Sequence, residues 1–132
     1  MPRSRLGIDA ALLVIDRNHL LVTQTRDDPT LRLPGGALHD GDDAHHVLTR
    51  YASRLGIDVD RRSLKRSTLV PPSTTHQRSV ATETIYFETP KAHQMEDHTA
   101  SDLTWATSRM PGVFTPAASA ALTTLHRSGR IE

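Results

Sequence analysis

LRLPGGALHDGDDAHHVLTRYASRLGIDV, residues 31–59, is the stretch on which the reading of this chain turns. Leu31–Pro34 is a short extended piece, because a proline restricts the residue before it to extended backbone. Residues 35–43, GGALHDGDD, are expected to form a glycine-rich loop, with Gly35, Gly36 and Gly41 free to take positive φ. Asp42 or Asp43 then N-caps a helix over 44–55. Leu48, Ala52 and Leu55 recur at i, i+4 and i+7, flanked by Val47 and Tyr51, and Gly56 is a natural terminator. A glycine loop that feeds a helix N-terminus offers backbone N–H groups to phosphate oxygens. Yet from Ala44 to Ile57 there is no carboxylate, so the shape of a phosphate site comes without the usual charges of a metal site.

Outward from this stretch the chain alternates strand and helix patterns. IDAALLVIDRNHLLVTQTR reads as a hairpin, with Ile8–Ile15 and His19–Thr25 as strands and residues 16–18, DRN, as the turn. SLKRSTLV is strand-like up to Pro71 and Pro72, ATETIYFETP is a strand ended by Pro90, and DLTWAT is a short last strand. KAHQMEDHTAS, between the last two, reads as a loop. TPAASAALTTLHRSG closes as a helix, with Thr115 as N-cap, Pro116 in the first turn and Gly129 at the end. The order of hairpin, loop, helix, strands and helix describes one α+β domain over residues 1–132, its helices packed on the faces of a mixed sheet.

Composition narrows the function classes. The chain has no cysteine, which excludes disulfides, thiolate metal sites and a cysteine nucleophile. The net charge of +1, from 16 basic and 15 acidic residues, gives no footprint for general nucleic-acid binding. The longest apolar run, Ala10–Ile15, falls far short of the roughly 20 residues that span a bilayer, and no signal-peptide core follows the basic N-terminus. A soluble, cytoplasmic protein without membrane or nucleic-acid partners is expected. The adjacent His45 and His46 diverge by about 100° on a helix and do not easily share one ion. Neither a G-x-S-x-G elbow nor a phosphate loop ending in G-K-[ST] is present.

The element order and the LPGGALHDGD…LGIDV stretch resemble the Nudix hydrolases, most strongly over 31–59 and weakly over nearly the whole chain. The resemblance implies a Nudix-like α/β/α sandwich. It also implies a box in which glutamates on a loop–helix–loop hold Mg²⁺ against a pyrophosphate, with hydrolysis of a nucleoside diphosphate linked to another group. Pro34, Gly35, Gly36, Leu38, Gly41, Gly56 and Ile57 match the glycine and apolar frame, but the spacing from Gly36 to Gly56 is one residue short. Anchored at Gly36, the box places Asp42 at the first glutamate and Tyr51, Arg54 and Leu55 at the other three. Anchored at Gly56, it places Thr49 at the arginine and Arg50, Ser53 and Arg54 at the glutamates. The second is preferred, since a gap inside the helix would turn its buried face by about 100°.

The resemblance therefore implies a divergent Nudix domain that binds a nucleotide or other diphosphate-containing small molecule, with weak or absent Mg-dependent pyrophosphohydrolase activity. Its ligand-binding candidates are Gly35, Gly36, Gly41, Arg50 and Arg54. The two arginines share a helix face, and guanidinium matches phosphate geometry. They equally suit a plainly solvated face. The alternative is an active hydrolase with displaced ligands, its Mg²⁺ or Mn²⁺ held by Asp40, Asp42 or Asp43, with Asp42, Asp43 and Glu83 as catalytic candidates. A third alternative is a non-enzymatic interaction module, with a homodimer left open.

Overall fold

The computed structural model describes residues 5–25, 27–77, 80–89, 92–94 and 103–132. In chain order the elements are β1 (Arg5–Leu13), β2 (Ile15–Asp16), β3 (His19–Thr23), β4 (Gly35–Leu38), α1 (Ala44–Arg54), β5 (Ile57–Val59), β6 (Lys65–Arg66), β7 (Ser73–Gln77), β8 (Val80–Glu88), β9 (Ala92–Gln94), β10 (Leu103–Ala106) and α2 (Pro116–Arg127). A single 3-10 turn lies at Arg61–Ser63.

Central to the fold is β1, which pairs antiparallel with β4 and parallel with β8. β8 also pairs with β6 and β7, so the main sheet is mixed. β3 pairs with β2 and β10 in a second sheet, and β5 pairs with β9. Strand alternation then sorts side chains into two cores. Ala11 and Leu13 of β1, Leu20 and Val22 of β3 and Tyr86 of β8 pack against Ala118, Ala121, Leu122 and Leu125 of α2. Ala10, Leu12, Leu21 and Phe87 pack instead with Leu48 and Ala52 of α1. The result is the expected α/β/α arrangement with a mixed sheet and two helices.

Local expectations fare unevenly. Asp43 caps α1, accepting from the His45 N–H at 3.0 Å, and Thr115 caps α2 with Pro116 in its first turn. The hairpin survives only at its tip. Arg17 and Asn18 take φ of 50° and 66°, as a primed two-residue turn requires, but the residues before Ile15 belong to the main sheet as β1, and the chain enters the second sheet only at Ile15. Gly35–Leu38 is a strand, not part of a loop, because β1 offers it a free edge. SLKRSTLV contributes only Lys65–Arg66 to the ladder, while β7 after Pro71 and Pro72 was not expected. β9 falls inside the expected loop KAHQMEDHTAS, and the rest of that loop lies outside the described residues.

Candidate functional site

The stretch 35–54 runs as strand, turn and helix. In β4, Gly35 lies against β1 so closely that a Cβ there would stand 2.0 Å from the Ala10 carbonyl oxygen. A Cβ at Gly36 would stand 2.6 Å from the Tyr51 hydroxyl, so the bare glycine lets α1 press its tyrosine onto the strand. Tyr51 thus points towards the strand. Gly41 takes φ +85° in the turn between β4 and α1.

The loop aspartates are engaged in shaping this turn. Asp42 accepts from the His39 N–H at 2.9 Å. Asp43 accepts from His45 and, at 2.7 Å, from the Arg61 guanidinium. Hydrogen bonding from Arg61 first, then from the His45 N–H, holds the Asp43 carboxyl below the usual carboxylate range. Asp40 is exposed. Glu83 lies on β8, in register with Ile8 and Thr74, on the sheet face that α1 covers. Arg50 and Arg54 are both exposed on α1, with the Arg54 guanidinium 5.9 Å from the centre of the Tyr51 ring. Mg²⁺ takes oxygen ligands, commonly one or two carboxylates with phosphates and water. Among the described residues no three His, Asp or Glu side chains come together to hold a metal. The described residues around this turn and helix therefore do not fit Mg²⁺.

A concavity lies on the other face of the main sheet. It is an open cleft of about 680 Å³ between β1, β7, β8, the segment at Arg32–Gly36 and the first turn of α2. Its polar lining is Asp9, Arg32, Thr75, Thr82, Thr84 and Thr115. Of the expected ligand residues, Gly35 and Gly36 line it; Gly41, Arg50 and Arg54 do not. Arg32 bonds Asp28 through one terminal nitrogen at 2.6 Å, while its Nε is buried without a partner among the described residues. Asp9 is partly buried, and burial alone pushes its carboxyl above the usual carboxylate range. Tyr86, buried in the α2-side core, donates to the Ala117 carbonyl at 2.9 Å and bonds Ser73 at 2.8 Å. Trp105 is partly buried against the α1-side core.

Asp9, Arg32, Thr82 and Thr84 of the cleft escaped the sequence reading. Two signals were present. Asp9 interrupts an otherwise apolar strand, and Thr82 and Thr84 alternate with residues of the opposite face. Neither says which face a helix will leave uncovered.

No family model matches the chain, and no curated protein matches it by sequence. Solved structures do. The Escherichia coli ORF135 protein aligns over 93% of this chain and 90% of its own, at 14% identity and a TM-score of 0.69. A MutT Nudix hydrolase from Burkholderia pseudomallei aligns over 92% and 98%, at 16% identity and a TM-score of 0.66. An ADP-ribose pyrophosphatase from Streptococcus suis aligns over 92% and 91%, at 13% identity and a TM-score of 0.58. Likeness at such low identity establishes architecture: the chain has the Nudix fold. Among the described residues no helix is long and apolar enough to cross a membrane.

Proposed function

We propose that this Nudix-fold chain binds a nucleotide or other diphosphate-containing small molecule, with weak or absent Mg-dependent hydrolysis. The observation that carries the reading is the cleft beside Gly35 and Gly36, with a cation, Arg32, in its wall and threonine hydroxyls on its floor. Arg32 replaces what a metal ion would otherwise supply: a positive charge within reach of phosphate oxygens, in a geometry that accepts two of them at once. Arg50 and Arg54, exposed on α1, supply further positive charge to a diphosphate that extends out of the cleft. Gly41 keeps the turn ahead of α1 open to backbone approach. The helix itself carries arginines where a metal-assisted hydrolase needs carboxylates, and like charges repel a metal.

A second reading, an active pyrophosphohydrolase, draws support from structural neighbours that are a Nudix hydrolase and an ADP-ribose pyrophosphatase. It would have to use Asp40, Asp42 or Asp43 with Mg²⁺ or Mn²⁺, and Glu83 as the strand carboxylate.

A thermal-shift panel of ADP-ribose, NADH, nucleoside triphosphates and diadenosine polyphosphates, each with and without Mg²⁺ or Mn²⁺, separates them. A ligand at 100 times its Kd adds about 2.7 kcal/mol of stability, which is easily seen. The proposed reading expects stabilisation that ignores the metal and is lost in Arg32→Ala. Stabilisation that requires metal and vanishes in Asp42→Ala favours the hydrolase. No response to any compound overturns the nucleotide reading.

A further inference from the structure

The floor of the cleft carries chemistry that holding phosphate does not need. Asp9 and Thr84 are lateral neighbours across the β1–β8 pair, and Thr82 stands beside Thr75 one row along. Thr84 is only 5% exposed and lines the cleft, so its side chain faces whatever enters there. The Asp9 carboxylate has no donor among the described residues, and burial is the whole cause of its raised pKa. A partly buried carboxylate without such a donor gains from a ligand that supplies one. An ionised carboxylate only accepts hydrogen bonds, whereas a threonine hydroxyl both donates and accepts.

The shape of the walls narrows the class further. Ala11, Gly36 and Ala117 are small, Leu33 and Val80 are apolar, and among the described residues no aromatic side chain lines the cleft. A flat ring therefore fits, and it must be recognised by its edge because there is nothing to stack on. A cationic ligand is disfavoured. Arg32 shares the cleft, and the first turn of α2, the positive end of its dipole, forms part of the wall. A neutral N–H edge meets no such opposition.

Resting on the nucleotide reading, we infer that Asp9 is the specificity-determining residue of the cleft. It accepts hydrogen bonds from the N–H donors of an amino-bearing heterocycle, with the Thr82 and Thr84 hydroxyls completing the edge.

The test is metal-free calorimetric binding to two pairs of nucleoside diphosphates, CDP against UDP and GDP against IDP. Each pair contrasts a ring that carries an exocyclic amino group with one that lacks it. The amino-bearing member should bind about 10-fold or more tightly in each pair, the strength expected of hydrogen bonds to a charged acceptor. In Asp9→Asn the ratio should fall below about 3-fold, because the amide presents one acceptor and one donor group in place of two acceptors. Asp9→Ser, which removes the acceptor pair with a smaller side chain, gives the same reading if the amide variant does not fold. Equal binding within both pairs, or a preference that survives in both variants, overturns the inference and leaves nucleotide binding standing. Failure of all four nucleotides to bind overturns both.

Discussion

The two faces of β1 meet helices in opposite ways. On the even-numbered face Ala10 and Leu12 are sealed under α1, with Leu48, Ala52 and Phe87 filling the layer and Tyr51 pressed onto Gly36. On the odd-numbered face Leu13 and Ala11 meet α2, but the contact stops there, and Asp9 in the same row faces a cleft. Two aspartates show the consequence. Asp43, on the sealed side, spends its oxygens on the α1 cap and Arg61, and its carboxyl is held low. Asp9, on the open side, has burial without partners, and its carboxyl is pushed up. A charge satisfied by its own chain stabilises structure, while a charge left unsatisfied is available to a ligand.

That contrast predicts graded responses to mutation. Leu48→Ala opens a cavity in the sealed layer and should cost about 3 kcal/mol in urea unfolding. A cost below about 1 kcal/mol would mean that α1 is loosely packed. Gly36→Ala forces the Tyr51 ring outward and should cost about 1–3 kcal/mol, with partial recovery in the double variant that also carries Tyr51→Leu. Additive losses in that double variant would show that the two residues do not press on each other. Thr84→Val exchanges a hydroxyl on the cleft floor for a methyl of similar shape and should leave stability within about 1 kcal/mol of the parent. A larger loss would reveal a hydroxyl partner in the native chain.

The smallest effects are those of pH, and they have opposite signs. Asp43 has a folded pKa below its unfolded value, so it contributes stability above the ordinary carboxylate pKa of about 3.9, lost as the pH falls through the folded value. Asp9 has a folded pKa above its unfolded value, so its favourable contribution is present in acid and lost as the pH rises through the folded value. Melting temperatures from pH 3 to 7 should therefore show a weaker acid-side loss in Asp43→Asn than in the parent. In Asp9→Asn the decline on the neutral side should disappear. Matching profiles for the two variants would dissolve the distinction between the two faces.

What could be read without coordinates was local. The run 44–55 carried its own helical period and Asp43 and Gly56 their end signals, and the Thr115–Gly129 stretch did the same for α2, because caps and periodicity depend on neighbours a few residues apart. The glycine and proline frame of 31–59 was enough to point to the fold that the structural neighbours share. Pairing partners were not legible. Gly35–Leu38 reads as a loop until β1 presents its edge, and the strand before Ile15 reads as half a hairpin until the chain switches sheets. The cleft was hidden for the same reason. Strand alternation separates Asp9 from Ala10, and Thr84 from Glu83, onto opposite faces. Only the placement of α2, ending its cover short of Asp9, decides which of those faces stays open, and that is a contact between residues more than a hundred positions apart.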